Sequence, residues 1–417
     1  MRDFSWSYIS PSPGIGGEIK FDAEAFLVEE IMLDGTVLEK GVEVKREGEE
    51  GKYSHFVVQK KDWTTAAAVK EISKRLYVGQ SRFDYAGTKD KTAVSVQLMS
   101  VFDIPPEKMM GVRAKDISIL GAWKASEKVK MGDLLGNRFT IGWRGSADAP
   151  LQESSSGRGA SGEGENAEAE ERVNSIHLEL GGKFPNYFGP QRFGSTRHNT
   201  HIIGEMMVAR QFEEAAMEFL CATEGERNPQ SVEARKALSE HMDFARALNE
   251  FPKHLRPERT MLTWLAKSAN DFIGAFRQLP RPTLLMFVHA FQSYLFNEMV
   301  SERVKEGEMA PEEGEYFCAE KAGFPVLEEK GDNWLCGRIV GYETKPNARE
   351  QEILDRHGIS PRDFKIKSIP EISSKGAYRT LLAPYVDFSF AENKFRFSLP
   401  SGSYATSLLR EFMDAKA

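Results

Sequence analysis

Asp90 stands between Lys89 and Lys91 in the string YAGTKDKTAVSVQ, where a polar turn joins two runs of β-forming residues, RFDYAG and TAVSVQLMSVFDI. A turn at the ends of two strands is a rigid mount. The flanking ammonium groups favour an ionised carboxylate, and such a carboxylate can serve as nucleophile or general base once substrate excludes water around it. The same string also reads as an exposed charged hairpin turn, the commoner fate of such a cluster. It is not a phosphate-binding loop. That loop needs Gly-Lys-Ser/Thr leading into a helix, whereas Gly87, Thr88 and Lys89 come in another order and lead toward a strand.

Three further segments mix aromatics, glycine and polar or cationic side chains: GNRFTI (136–141), PNYFGPQRFG (185–194) and FSLPSGSYATSLLRE (397–411). An enzyme acting on a base within folded RNA must extract the base, stack it and hold its edge by hydrogen bonds, which calls for this mixture. Phe139, Tyr187, Phe188, Phe193 and Tyr404 are the stacking candidates, set against the plain alternative that they are core aromatics. Ser401 or Ser403 is placed to cap the helix expected after Gly402, leaving backbone N–H groups pointing outward for a phosphate or carbonyl. His198 and His201 lack a third ligand nearby, so no metal site is expected.

The elements that must carry these residues follow from periodicity. EIKFDAEAFLVEEIML and YSHFVVQKKDW predict strands, and TTAAAVKEISKRLYV a helix opened by a threonine cap. From about residue 204 to 297 apolar residues recur at i, i+3 and i+4, which predicts helices. Short β-like runs return at WLCGRIVG, YRTLLAPYVDFSF and KFRFSLP, and YATSLLREFM closes the chain as a helix whose apolar face is Ala405, Leu408, Leu409 and Phe412. The fold class is α+β, a mixed body interrupted by a helix-rich insertion. At 417 residues two or three domains are expected, and the 41% hydrophobic and 28% charged composition is that of a globular protein.

No apolar run approaches the ~20 residues a spanning helix needs, and the first residues lack the order of a signal peptide, so a cytoplasmic location is expected. The three cysteines, 221, 318 and 336, form no CxxC pair and read as reduced thiols. Net charge is −7, yet residues 146–171 alone hold seven acids against Arg158. That Ser-, Gly- and Glu-rich stretch is expected to be a flexible surface loop, and the near-neutral remainder leaves room for a basic RNA-binding face.

Taken in order, AGTKDKTAVSVQ, GNRF, PNYFGPQRFG, FQSYLFN and LPSGSYATSLLRE resemble the TruD family of tRNA pseudouridine synthases over Phe21 to Glu411. The resemblance implies a curved mixed β-sheet catalytic domain flanked by helices, built from residues 1–188 and 385–417, with a helix-rich inserted TRUD domain over 189–384. It places the essential carboxylate on Asp90, beside Lys89 and Lys91. It places a nucleotide-holding amide on Asn137, a uracil-stacking ring on Phe139, and further substrate contacts on Phe26 and Tyr404. Ala25 replaces the acid of the family's DFxVxE motif, and Tyr404 the phenylalanine of GSFATS.

The implied reaction isomerises uridine to pseudouridine in tRNA, favouring position 13, with tRNA as partner and neither cofactor nor metal. No obligate protein partner and no membrane are implied. Two other readings remain: an RNA-binding protein or tRNA folding chaperone that captures a flipped base, and a carboxylate-dependent glycosidase acting on free nucleosides.

Overall fold

The computed structural model describes residues 4–145 and 162–414. The chain divides into two compact units. The helical unit holds Met1–Tyr8, Pro185–Ala319 and Leu327–Leu382, and the sheet unit holds Ile9–Phe184, Glu320–Val326 and Ala383–Ala417.

Elements run in chain order as β1 (Glu18–Ile19), β2 (Phe26–Ile31), β3 (Tyr53–Lys61), α1 (Thr65–Leu76), β4 (Phe83–Tyr85), β5 (Val94–Phe102), α2 (Pro106–Met110), β6 (Ile117–Ala125), β7 (Gly136–Arg144) and α3 (Gly162–Leu180). There follow β8 (Lys183–Pro185), α4 (Thr200–Val208), α5 (Phe212–Cys221), α6 (Pro229–His241), α7 (Phe244–Glu250), α8 (Arg256–Leu265), α9 (Phe272–Arg277) and α10 (Arg281–Glu306). The chain continues through β9 (Tyr316–Lys321), β10 (Phe324–Lys330), β11 (Trp334–Ile339), α11 (Ala348–Arg356) and β12 (Ala377–Thr380), and ends with β13 (Leu382–Pro384), β14 (Val386–Ala391), β15 (Lys394–Pro400) and α12 (Ala405–Met413).

Among the described residues, nine strands form one curved mixed sheet in the order β14-β15-β7-β2-β5-β3-β6, with β1 beside β7 and β4 beside β5. β2 and β5 are parallel and the other pairs antiparallel. The sequence of β5, VSVQLMSVF, is buried at eight of its nine positions. Such a run, hydrophobic or small on both faces apart from Gln97, is what a strand covered on both sides requires.

Register assigns the faces. Phe56 and Val58 of β3 lie opposite Met99 and Gln97 of β5, Val28 of β2 opposite Ser95, and Phe139 of β7 opposite both Val28 and Phe397. Two apolar clusters cover this face. One packs Phe26, Val28, Phe139, Ile141, Phe395 and Phe397 against α3 and α12, and the other packs Phe56, Val58, Met99 and Val101 against Ala68, Val69 and Ile72 of α1. The opposite face closes over Leu38, Val57, Val96, Leu98 and Trp123.

α1 starts where Thr64 caps the amide of Ala67 and stops at Tyr77, whose left-handed backbone (φ 57°) ends the hydrogen-bond ladder. The helical unit packs α4 to α11 around one core of Phe, Leu and Ile side chains, beside a four-stranded sheet in the order β10-β9-β11-β12. No helix among the described residues is long and apolar enough to cross a membrane.

Two expectations are corrected here. The flexible loop expected over 146–171 is helical from Gly162, and only 146–161 lies outside the described residues. Its Glu-Ala repeats suit a helix, and Ala169, Val173, Ile176 and Leu180 give that helix a buried stripe. Neither Ser401 nor Ser403 caps α12. The N-cap is Tyr404, without a side-chain capping bond, while the backbone N–H of Ser403 turns back to the Pro400 carbonyl.

Candidate active site

Between the two apolar clusters, at the end of the sheet where β2 finishes and β7 begins, the inward phase of the strands turns polar. Lys60 follows Phe56 and Val58 in β3, Gln97 precedes Met99 in β5, Glu30 follows Val28 in β2, and Asn137 of β7 lies opposite Glu30. Lys60, Gln97 and Glu30 are fully buried. Polar groups withdrawn from water must be paired, and the loop of residues 86–93 carrying Asp90 supplies the partners.

That loop is held at three points. Gln97 donates from Nε2 to the Gly87 carbonyl (3.1 Å) and accepts from the Thr65 hydroxyl (3.0 Å), while Thr65 Oγ1 accepts the backbone N–H of Lys89 (2.9 Å). Lys89 turns its ammonium inward, to Glu30 Oε2 at 3.0 Å and to Asn137 Oδ1 at 2.5 Å. Lys60 donates to the carbonyls of Asp90 (3.1 Å) and Trp63 (2.6 Å). Burial lowers the Lys60 ammonium to about 8, a shift that the Asp90 charge opposes and the nearby Lys89 reinforces.

The Asp90 side chain itself stays open to solvent, 46% exposed, with Lys20 Nζ at 3.0 Å from Oδ2. Lys20 has a left-handed backbone (φ 58°), uncommon outside glycine, and its ammonium lies 3.9 Å from the centre of the Phe26 ring. The Asp90 carboxyl group is thus presented outward from a loop fixed from below, beside the Lys20 ammonium. A carboxylate so mounted and open to solvent has the chemistry of a nucleophile or general base toward a group that reaches it.

Asn137 is half-buried, and through Lys89 it belongs to the Asp90 loop. Phe139 is 8% exposed, stacked 5.5 Å from Phe397 and edge-on to Phe26 at 6.2 Å, so only its rim is accessible. Phe26 is buried beneath Lys20, and Lys91 is exposed. Tyr404 is half-buried at the start of α12, past the turn where Ser401 N–H bonds the Leu135 carbonyl just before β7.

Tyr187 and Phe193 do not serve as stacking surfaces. Both are core residues of the helical unit, at most 1% exposed, with the Tyr187 hydroxyl donating to the Ser7 carbonyl. Phe188, half-buried in the same unit, carries the Arg379 guanidinium 4.2 Å from its ring centre.

Lys20, Lys60, Glu30, Thr65 and Gln97 were missed from the sequence. Lys60 and Glu30 carried a usable signal, because each continues the inward alternation of its strand where an apolar residue is expected.

The chain matches the family model described as tRNA pseudouridine synthase D (TruD) over residues 5–412. Among curated proteins, one named probable tRNA pseudouridine synthase D from Methanopyrus kandleri is 37% identical over 382 residues, covering 88% of this chain and 87% of the relative. Another of that name from Thermococcus onnurineus is 36% identical over 444 residues and covers 99% of each. The crystal structure of a tRNA pseudouridine synthase D (TruD) candidate from Methanosarcina mazei superposes with a TM-score of 0.73 at 30% identity, covering 98% of this chain and 95% of that one.

Proposed function

We propose, from the premise that the chain belongs to the TruD family of tRNA pseudouridine synthases, that it isomerises uridine to pseudouridine at position 13 of tRNA, using the Asp90 carboxylate and no cofactor. The observation that carries this reading is the mounting of Asp90: solvent-facing, paired with Lys20, and fixed from below by Lys60 and by the Thr65–Gln97 bridge.

The isomerisation breaks the bond from C1′ of ribose to N1 of uracil, forms one from C1′ to C5, moves a proton off C5 and leaves one on N1. Atoms and electrons balance without an external reagent. Asp90 serves by attacking C1′, by attacking C6, or by taking the C2′ proton toward a glycal, and all three use an ionised carboxylate at the sugar–base junction. Lys20 pairs with that carboxylate at 3.0 Å and holds it in place for the incoming nucleotide. Asn137 holds the target nucleotide, Tyr404 and the rim of Phe139 flank the base, Phe26 supports Lys20, and Lys91 is available to a phosphate.

In the same reading residues 1–188 and 385–417 form the catalytic domain, and residues 189–384 form the inserted domain that selects among tRNAs. The protein would meet those tRNAs in the cytoplasm.

The test is pseudouridine mapping on unmodified tRNA transcripts with wild type and Asp90→Asn, no cofactor added. Product at position 13 with wild type alone is the expected result. Full activity in Asp90→Asn would overturn the assignment, and tRNA binding without product by either protein would favour an RNA-binding role.

A further inference from the structure

Tyr77 is 95% exposed, the most exposed large hydrophobic side chain among the described residues. Its position makes the exposure harder to explain. It is the C-cap of α1, held at φ 57° by N–H bonds to the carbonyls of Lys74 and Ser73, a conformation that glycine or asparagine occupies at less cost than tyrosine. Neither packing nor backbone preference accounts for a tyrosine there. Its neighbours Leu76 and Val78 turn inward onto the cluster that includes Met109, Val112 and Ile117, so the ring between them is carried outward on a rigid mount.

The surroundings are cationic. Residues 70–82 hold four bases against Glu71, and residues 107–116 hold three bases against Glu107 and Asp116, within a chain of net charge −7. The two stretches meet where Arg75 Nη1 donates to the Arg113 carbonyl (2.7 Å). There Arg75, Met110, Arg113 and Lys115 line an open concavity of about 600 Å³, with Glu43 the acid on its wall. Lys74, Lys108, Arg113 and Lys115 are exposed.

α1 ties this patch to the proposed catalytic loop. Its first residue, Thr65, holds the Lys89 N–H, and its twelve residues span ~18 Å to Tyr77, about five nucleotide steps at the ~3.4 Å per strand of a stacked duplex.

We propose that the outer end of α1 is a second docking surface for the tRNA substrate, with the Tyr77 ring stacking on an unpaired base and Lys74, Lys108, Arg113 and Lys115 neutralising backbone phosphates, while Arg75, paired with Glu71, joins the two stretches. An exposed aromatic on a rigid mount among cations is the pairing of stacking platform and charge by which unpaired nucleotides are captured. The surface rests on the reading of the protein as a tRNA-modifying enzyme and extends it from the reacting nucleotide to the RNA beyond.

The experiment measures affinity for an unmodified tRNA transcript, and KM and kcat for pseudouridine formation, with Tyr77→Asn, Tyr77→Phe and Arg113→Glu in the full chain. Tyr77→Asn suits the left-handed backbone, so its melting temperature should hold or rise while Kd and KM rise about tenfold and kcat is retained. Tyr77→Phe keeps the ring and should bind as wild type. Arg113→Glu should weaken binding and flatten its salt dependence. Unchanged tRNA affinity in Tyr77→Asn overturns the proposal and leaves the patch to a partner other than RNA, whether or not Asp90 proves catalytic. Weakened binding by Tyr77→Asn in a protein that makes no pseudouridine upholds the surface and removes the enzyme reading.

Discussion

Lys60 is the residue whose presence is hardest to explain by stability. An ammonium fully withdrawn from water, bonded to two carbonyls and near Lys89, costs free energy that a methionine of similar length would not. Its ammonium sits near 8 in the folded protein against 10.5 in the open chain, so between those values the unfolded state binds the proton that the folded state has released. Stability from this group therefore rises with pH across that window, and the full penalty is present below about pH 8. Lys60→Met should fold at least as stably as wild type at pH 7.5, by about 1–3 kcal/mol, with the advantage shrinking toward pH 10 in urea unfolding. It should nonetheless lose kcat by roughly ten- to a hundredfold, because the Asp90 carbonyl loses its donor and the loop its alignment. Equal losses of stability and activity would make Lys60 a core residue only. Lys60 and Lys20 were hard to find for one reason: they lie 30 and 70 positions from Asp90, and no local spacing reports a contact made by strand pairing. Asp90 itself was singled out by its flanking lysines, yet those do not hold the carboxylate. Lys89 turns inward to Glu30 and Asn137, and the paired cation is Lys20.

At the scale of elements, helices were legible wherever their burial is one-sided. α1 shows an apolar stripe and a threonine cap, and α12 an apolar stripe, while the long α10, buried on more than one side in its middle, was legible from its length and apolar repeat. α3 was hidden because its first half is acidic and glycine-rich, and composition outweighed the stripe that begins at Ala169. A different element-level contact was legible nowhere: His357, at the C-cap of α11, bridges Glu205 of α4 (2.7 Å) and Glu298 of α10 (2.8 Å). Burial alone would lower this imidazole, but the hydrogen bonds to the two carboxylates prevail and raise it to about 9. A folded value above the unfolded 6.5 means the clamp contributes fully below about pH 6.5 and is lost as pH rises through about 9. His357→Ala should therefore cost on the order of 2 kcal/mol in denaturant unfolding at pH 6 and much less at pH 9.5. A cost independent of pH would reduce the residue to its ring contacts with Phe291 and Tyr294.

At the scale of the whole chain, the α+β class followed from local patterns, but the strand order did not, because the sheet is completed from opposite ends of the sequence. β15 is an interior strand: it pairs with β7 from Lys394↔Gly142 to Pro400↔Gly136 and carries β14 on its other edge. α12 is bound in turn by the N-terminal segment, where the N–H groups of Gly14, Ile15 and Gly16 reach the carbonyls of residues 414, 412 and 413. The sheet unit thus cannot close without residues 394–414. Deleting residues 394–417 removes Phe395, Phe397, Leu399, Leu408, Leu409 and Phe412, all at most 1% exposed. At about 1.5–3 kcal/mol for each buried side chain, the loss of roughly 9–18 kcal/mol matches or exceeds the ~5–15 kcal/mol that holds a domain folded. The helical unit draws none of its core from those residues, since every buried member of its cluster lies between Tyr187 and Leu381. The truncated chain should therefore keep a cooperative helical melting transition and a protease-resistant fragment near 185–382, while the sheet unit is digested and pseudouridine formation is abolished. Digestion of both units together would show that the two cores are not energetically separate, and survival of both would show that the sheet unit holds without β15 and α12.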